Sequence, residues 1–299
     1  MTGTNSRVNK KMGTRFILYC IQALGYLPLA WLRALGWGLG AALYVLVGSR
    51  RKVVWVNLQL CFPHWTKAQL RHTAFQTFVY FAQAWLDRGW LWYAQPGVLL
   101  KRIKFVGAVN ELEGNAPTLI FTPHFIGMDA GWVALNQQIP RQFMTVYASQ
   151  TNLVVDAWIL KGRKRFPNGR PFDRTQGFKG LLAGFRRGEP LCLLPDMNYE
   201  PKESVFVPFY GVLAATIPSL SRVAKLGRAK VIGMVGRITP EGYEVEITPA
   251  WPGFPTDNLV SDTALMNLRL QGYIDIEPSQ YYWVHKRFKD RPAGEIPPY

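Results

Sequence analysis

The 299-residue chain is expected to be an α/β protein: a mixed central sheet flanked by helices, behind an N-terminal hydrophobic, membrane-anchoring helical segment. Three observations lead there. From about residue 100 onward, short apolar runs bounded by Pro, Gly and Asn alternate with runs of helical spacing. Two long apolar runs lie near the N-terminus between basic flanks. Apolar residues make up 48% of the chain, enough for a large core, and no repeat or low-complexity tract interrupts it. The domain reading is an anchor over residues 1–50 and an α/β domain over 51–299.

The anchor comes first. "FILYCIQALGYLPLAWL", residues 16–32, is interrupted by Pro28, and "ALGWGLGAALYVLVG" follows Arg33 and runs up to "SRRK". The first run lies at the short edge for a spanning helix. Together the two form either a bent hydrophobic hairpin or a span with an interfacial helix. "RKVVWVNLQLCFP" then reads as a helix stopped by Pro63, and "TKAQLRHTAFQTFVYFAQAWLDRGW" as a second one capped by Thr66. "IKFVGAV" and "PTLIFTP" are expected strands, 125–137 a helix and "RQFMTVYAS" a strand. "VVDAWILKGRKRF" and "TQGFKGLLAGFRRG" are expected helices, and "EPLCLLPD" an apolar strand. A helix and two paired strands fill 221–251, and a final helix runs from about Thr263 to Ile276.

Lys and Arg number 35 against 19 Asp and Glu, a net charge of +16. Such a surface suits polyanions: nucleic acid, an anionic membrane, phosphorylated substrates or an acidic carrier protein. Eleven tryptophans and thirteen tyrosines tilt that choice toward a membrane interface. Cys20, Cys61 and Cys192 have neither metal-ligand spacing nor a disulfide pattern, and with four histidines a zinc site is not expected. There is no nucleophile elbow, phosphate-binding P-loop or dinucleotide fingerprint, and no cofactor is expected.

"FTPHFIGMD", residues 121–129, sets His124 five residues before Asp129. In a continuous helix five residues turn through roughly 500°, which leaves the two side chains about 140° apart. They meet only if His124 sits in a turn after the strand and Asp129 in the first turns of the next helix, which Pro123 and Gly127 permit. Asp129 would then accept from one imidazole nitrogen and leave the other to take a proton from a hydroxyl. Spacing alone serves a structural histidine at a strand end equally well. "PDMNYEPKESVFVPFYG", residues 195–211, joins a strand-end Asp196 to an aromatic segment whose Pro208 excludes a regular central strand. It suits the wall of an apolar groove. The tracts at 161–174 and 285–291 hold six and four Lys and Arg, mostly a solvated face. Arg170, fixed in an "NGRP" turn, is suited to gripping a phosphate, and His285 reads as a structural or headgroup-contacting residue.

"RRKVVWVNLQLCFP", "TPHFIGMDAGW", "NGRPFDR", "LLPDMNYEPKESVFVPFYGVLAATIPSLSRVAK" and "IEPSQYYWVHKRFKDRP" occur in the order of the late acyltransferases of lipid A biosynthesis, which the chain resembles over nearly its whole length. These belong to the wider glycerolipid acyltransferase superfamily. The resemblance implies transfer of an acyl chain from acyl carrier protein to a hydroxyl of a lipid A precursor. It implies a bacterial inner-membrane location with the catalytic domain on the cytoplasmic face. It makes His124 the base and Asp129 its partner, with Arg170, Asp196 and Pro208 in substrate-binding segments. The expected partners are thus the carrier protein, the lipid acceptor and an anionic membrane, without nucleic acid. Met128 and Met197 depart from the family's usual residues, which leaves another lipid acceptor, a lysophospholipid or an amino-acid lipid, as the alternative. A basic membrane or nucleic-acid binding module is the non-enzymatic alternative; it leaves the His124 and Asp129 pair unexplained.

Overall fold

The computed structural model describes residues 2–173 and 179–299, with side chains from residue 11 onward except Lys179. Ten α-helices and nine strands are present among them. The N-terminal part consists of α1 (Thr2–Leu24), α2 (Leu29–Leu46), α3 (Gly48–Cys61), α4 (Lys67–Tyr93) and α5 (Pro96–Arg102). Pro28 separates α1 from α2, so the two apolar runs form a bent pair. Thr66 caps α4 through a capping box with Gln69: each side chain meets the other residue's backbone N–H, satisfying two donors that the helix leaves free.

Then come β1 (Ile103–Gly107), β2 (Thr118–Phe121), α6 (Met128–Gln138), β3 (Phe143–Tyr147), α7 (Leu153–Arg163), β4 (Gly169–Asp173), α8 (Lys179–Arg186) and β5 (Leu191–Leu193). The chain continues through β6 (Val205–Phe209), β7 (Val212–Thr216), α9 (Ser219–Gly227), β8 (Lys230–Thr239), β9 (Gly242–Ile247) and α10 (Leu259–Ile276). Seven strands make one sheet in the order β1-β9-β8-β2-β5-β3-β4, parallel throughout except for the β8–β9 hairpin. This is the mixed sheet flanked by helices that the alternating runs imply.

The central strands are apolar on both faces, as a covered parallel sheet requires. Leu119, Phe121, Val231 and Leu191 point into one core with α8, α9 and α10. Ile120, Ile232 and Cys192 point into the other with α4 and α6. α2 lies along α4 at backbone distance: a Cβ added at Gly40 would fall 2.4 Å from Val79 Cα. Arg33 of α2 is 2.5 Å from Asp87 of α4, which also accepts from Trp90 Nε1 and from the Tyr243 hydroxyl on β9. A fully buried carboxylate thus joins two helices and the sheet.

Three local expectations change. The "NGRP" segment is not an isolated turn: Arg170 lies in β4, at the edge of the sheet, where Pro171 is tolerated because an edge strand can forgo a ladder donor. The Pro208 segment is half of a separate two-stranded ribbon, β6–β7, turning at Tyr210 and Gly211, both with positive φ. Pro208 is exposed there, and its carbonyl accepts from Asn267 of α10. The last helix begins at Leu259 rather than near Thr263, because Asn258 accepts from the N–H groups of Val260 and Ser261. The first residues of the helix expected over 175–188 lie outside the described residues.

The C-terminal segment after α10 folds back over the sheet. Asn57 of α3 donates to the carbonyls of Trp283 and His285, and Arg287, fully buried, donates to Ala215 O and Thr216 Oγ1. His285 Nε2 accepts from the N–H of Asn198 at 3.0 Å, so its imidazole is neutral and serves structure. Burial and neighbouring Arg287 push its pKa down from 6.5 to about 4.

Gly40→Leu should destabilise the fold by about 1–3 kcal/mol through overpacking against α4. Gly38→Leu, which meets nothing within 4 Å, should leave the unfolding midpoint in detergent nearly unchanged. The unfolded chain protonates His285 from its ordinary 6.5 downward, whereas the folded one resists to about 4. Stability should therefore fall as pH drops through that window, and His285→Asn should flatten the dependence measured by denaturant titration.

Candidate active site

β2 ends at Phe121, and Thr122, Pro123 and His124 continue past the carboxyl edge of the sheet, where parallel α/β proteins build their sites. The Thr122 N–H still bonds to Leu193 O on the neighbouring strand, so the turn starts from a fixed point. Gly127 then crosses the backbone of Gly236 so closely that a Cβ would fall 2.4 Å from its carbonyl oxygen. Only glycine allows the chain to pass there and enter α6 at Met128. His124 therefore sits in a strand-to-helix turn, and Asp129 in the first turn of α6, as the spacing argument requires.

The two do not pair with each other. His124 Nδ1 lies 2.7 Å from Asp196 Oδ1, and the His124 backbone N–H donates to Asp196 Oδ2 at 2.9 Å. Tyr281 adds its hydroxyl to the same oxygen at 3.1 Å. Asp196 follows β5 by three residues and is completely buried. Burial pushes its carboxyl up, but the attraction and hydrogen bonds of His124 outweigh this and hold it below its ordinary value. Because Asp196 is ionised, Nδ1 of a neutral His124 must carry the proton. Nε2 is then the free base, with no hydrogen bond to protein among the described residues.

Asp129 is clasped instead by two arginines. Arg88 of α4 donates Nε and Nη2 to Oδ2 at 3.0 and 2.7 Å, and Arg163, the last residue of α7, donates Nε and Nη2 to Oδ1 at 3.1 and 3.0 Å. Burial opposes ionisation of Asp129, yet the two guanidinium groups bring its pKa down to about 2. Arg88 also lies over the Trp85 ring, 4.2 Å from its centroid, which fixes it from behind. The expected His124–Asp129 hydrogen bond is thus replaced by His124–Asp196. The reason is geometric: two bidentate arginines occupy the Asp129 oxygens, while Asp196 emerges from the strand next to β2.

His124, Asp129 and Arg163 line a cavity of about 440 Å³ at the carboxyl ends of β2, β5 and β3. Its other walls are mainly apolar, with Met128, Trp132, Val146, Leu193, Ile217 and Met234 among them. Cys192 also reaches it, but burial pushes that thiol up to about 12, so it supplies no nucleophile. Arg170 and Pro208 do not line the cavity. Arg170 is turned to Glu189, which accepts from its Nη1 at 2.6 and 2.8 Å and also from Arg187. No group of His, Cys, Asp and Glu suited to a metal occurs among the described residues.

Sequence reasoning missed Arg88, Arg163 and Tyr281. Arg163 lies within the tract read as a solvated face, and its partner is 34 residues away. A signal for Arg88 existed: an Asp-Arg pair embedded in the otherwise apolar "AWLDRGW" of a long helix has to be paired if buried.

Comparison with known proteins shows the family to which the chain belongs. The chain is 33% identical over 245 residues to a lipid A biosynthesis acyltransferase of Haemophilus influenzae, covering 80% of this chain and 76% of the relative. It is 28% identical over 274 residues to the lipid A biosynthesis lauroyltransferase of Escherichia coli, with 90% and 88% covered. It is 29% identical over 266 residues to the lipid A biosynthesis myristoyltransferase of the same organism, with 84% and 78% covered. A model of the bacterial lipid A biosynthesis acyltransferase family matches residues 3–290, and the chain belongs to that family.

Proposed function

We propose that the chain moves a fatty acyl group from an acyl carrier protein thioester to a hydroxyl of a lipid A precursor, with His124 as general base. The observation behind this reading is the His124 ring, tied at Nδ1 to buried Asp196 and with Nε2 free beside an apolar cavity. Nε2 takes the proton of the acceptor hydroxyl as its oxygen attacks the thioester carbonyl. Asp196 holds the tautomer and stabilises the imidazolium that forms. When the tetrahedral intermediate collapses, the carbon–sulfur bond breaks and the imidazolium returns its proton to the leaving thiolate.

Asp129 has a different task in this reading. It remains ionised and holds the Arg163 guanidinium at the cavity wall, where positive charge favours the developing oxyanion. The apolar wall suits the acyl chain. The net charge of +16 suits both an acidic carrier and an anionic membrane, in keeping with a reaction at the cytoplasmic face of the inner membrane. Arg170 and Pro208 lie outside the cavity lining.

His124→Ala should abolish transfer while the protein still folds; undiminished turnover would contradict the base assignment. Asp196→Asn should lower kcat by about 10³–10⁴ with KM little changed, since it upsets the tautomer rather than binding. Asp129→Asn and Arg163→Ala should each lower kcat about 10²–10³-fold, and the double variant should lose little more, because the two act as one unit. Independent, multiplying losses would separate Asp129 from Arg163. Mass spectrometry of the lipid product identifies the chain transferred and the acceptor, and turnover with acyl carrier protein against acyl coenzyme A identifies the donor.

A further inference from the structure

The segment that follows α10 runs along the turn that carries His124. Phe125 and Tyr281 form an isolated antiparallel bridge. Beside it the Ile126 N–H donates to Gln280 O at 2.9 Å, and the Tyr282 N–H donates to His124 O at 3.0 Å. The same segment grips the loop that carries Asp196. Asn198 gives its backbone N–H to His285 Nε2 at 3.0 Å and its Nδ2 to Asp290 Oδ2 at 2.6 Å. Its Oδ1 accepts from the Asp290 N–H at 3.1 Å. Between these two attachments the Tyr281 hydroxyl reaches Asp196 Oδ2 at 3.1 Å. Ionised Asp196 can only accept, so the phenol donates. Burial and the neighbouring carboxylate push the Tyr281 phenol well above its ordinary range, which keeps that proton in place. The ring is 2% exposed and meets Phe125 and Trp283 edge-on, with centroids 5.7 and 4.9 Å away, so the direction of the hydroxyl is fixed.

We propose that Tyr281 is a positioning residue of acyl transfer: its hydroxyl locks Asp196 with Oδ1 toward the imidazole and limits how strongly that carboxylate holds the protonated ring. The two carboxylate oxygens are divided for this purpose. Oδ2 takes the His124 backbone N–H at 2.9 Å and the Tyr281 hydroxyl, which leaves Oδ1 to the imidazole Nδ1 at 2.7 Å. Two donors on one oxygen prevent the carboxylate from turning away. They also draw charge from it, so the imidazolium is stabilised enough to form and not so much that it keeps its proton. The assignment rests on His124 as the base and Asp196 as its partner. Other titratable or charged groups around the three side chains hold their state near neutral pH. Arg287 is a permanent cation, and burial pushes the Cys61 thiol and the Tyr282 phenol up. His285 titrates at about 4, and Asp129, at about 2, stays ionised between its arginines.

Tyr281→Phe keeps the buried ring and removes the donor. The full chain is assayed with an acylated carrier protein as donor and a purified lipid A precursor as acceptor. The variant should lose about tenfold in kcat while KM stays within about twofold, since orientation rather than binding is impaired. The acid limb of kcat/KM against pH, which reports the base of the free enzyme, should move to higher pH by about half a unit. A tyrosine fluorinated on its ring, introduced at position 281, is a stronger donor of nearly the same size and should move the limb to lower pH. It also serves if the phenylalanine variant fails to fold. A limb that stays in place in both proteins, whatever happens to kcat or to the unfolding temperature, makes Tyr281 a packing residue and overturns the proposal. His124→Ala is assayed alongside. Activity retained there defeats the assignment of the base itself, whereas an inactive His124→Ala with an unmoved limb defeats the role of Tyr281 alone.

Discussion

A carboxylate with no access to water must be met by donors, and in this protein that requirement organises the site. Asp196 is fully buried and collects three: the imidazole and backbone N–H of His124, and the hydroxyl of Tyr281. They come from the end of β2 and from the C-terminal segment, so one side chain binds parts of the chain that are far apart in sequence. The segment holding Tyr281 is itself secured by Asn57 of α3 and by buried Arg287. An orphaned Asp196 would be costly, and the surrounding elements are arranged so that it is not orphaned. The same arrangement leaves one imidazole nitrogen facing the cavity.

Asp196 and Asp129 are both buried, but their environments differ. Asp196 touches a histidine and a tyrosine, partners that can share or move a proton. Asp129 touches two arginines, which cannot. With its pKa near 2, Asp129 is a fixed negative charge balancing part of a fixed positive pair. Within this cluster one positive charge is in surplus, and Arg163, which carries part of it, lines the cavity. An invariant charge of that kind favours an oxyanion without taking part in proton traffic.

Much of the architecture was legible because it follows local rules. Short apolar runs such as "PTLIF" and "PLCLL", bounded by prolines, read as strands covered on both faces, and the Thr66 cap and the β8–β9 hairpin are written in neighbouring residues. The turn position of His124 was legible for the same reason. What escaped was contact between distant segments. Asp196 lies 72 residues from His124, and Arg88 lies 41 from Asp129. Nothing in the spacing of one segment reveals which partner the sheet order will bring beside it. β2 and β5 are neighbours in the sheet although β3 and β4 intervene in the chain, and that single topological fact turns His124 toward Asp196. Arg170 shows the reverse case: the local turn signal pointed to a phosphate grip, but Arg170 lies in an edge strand and meets Glu189.

The pairing of His124 with Asp196 is tested most directly by nitrogen NMR of the imidazole. The chain has four histidines, so selective labelling with assignment by substitution is practical. Where the ring is neutral, His124 should show Nδ1 protonated and Nε2 bare. Asp196→Asn should abolish that tautomer preference and Asp129→Asn should preserve it. If Asp129→Asn, and not Asp196→Asn, shifts the tautomer, then Asp129 is the carboxylate that orients His124, and Asp196 is not its partner in solution.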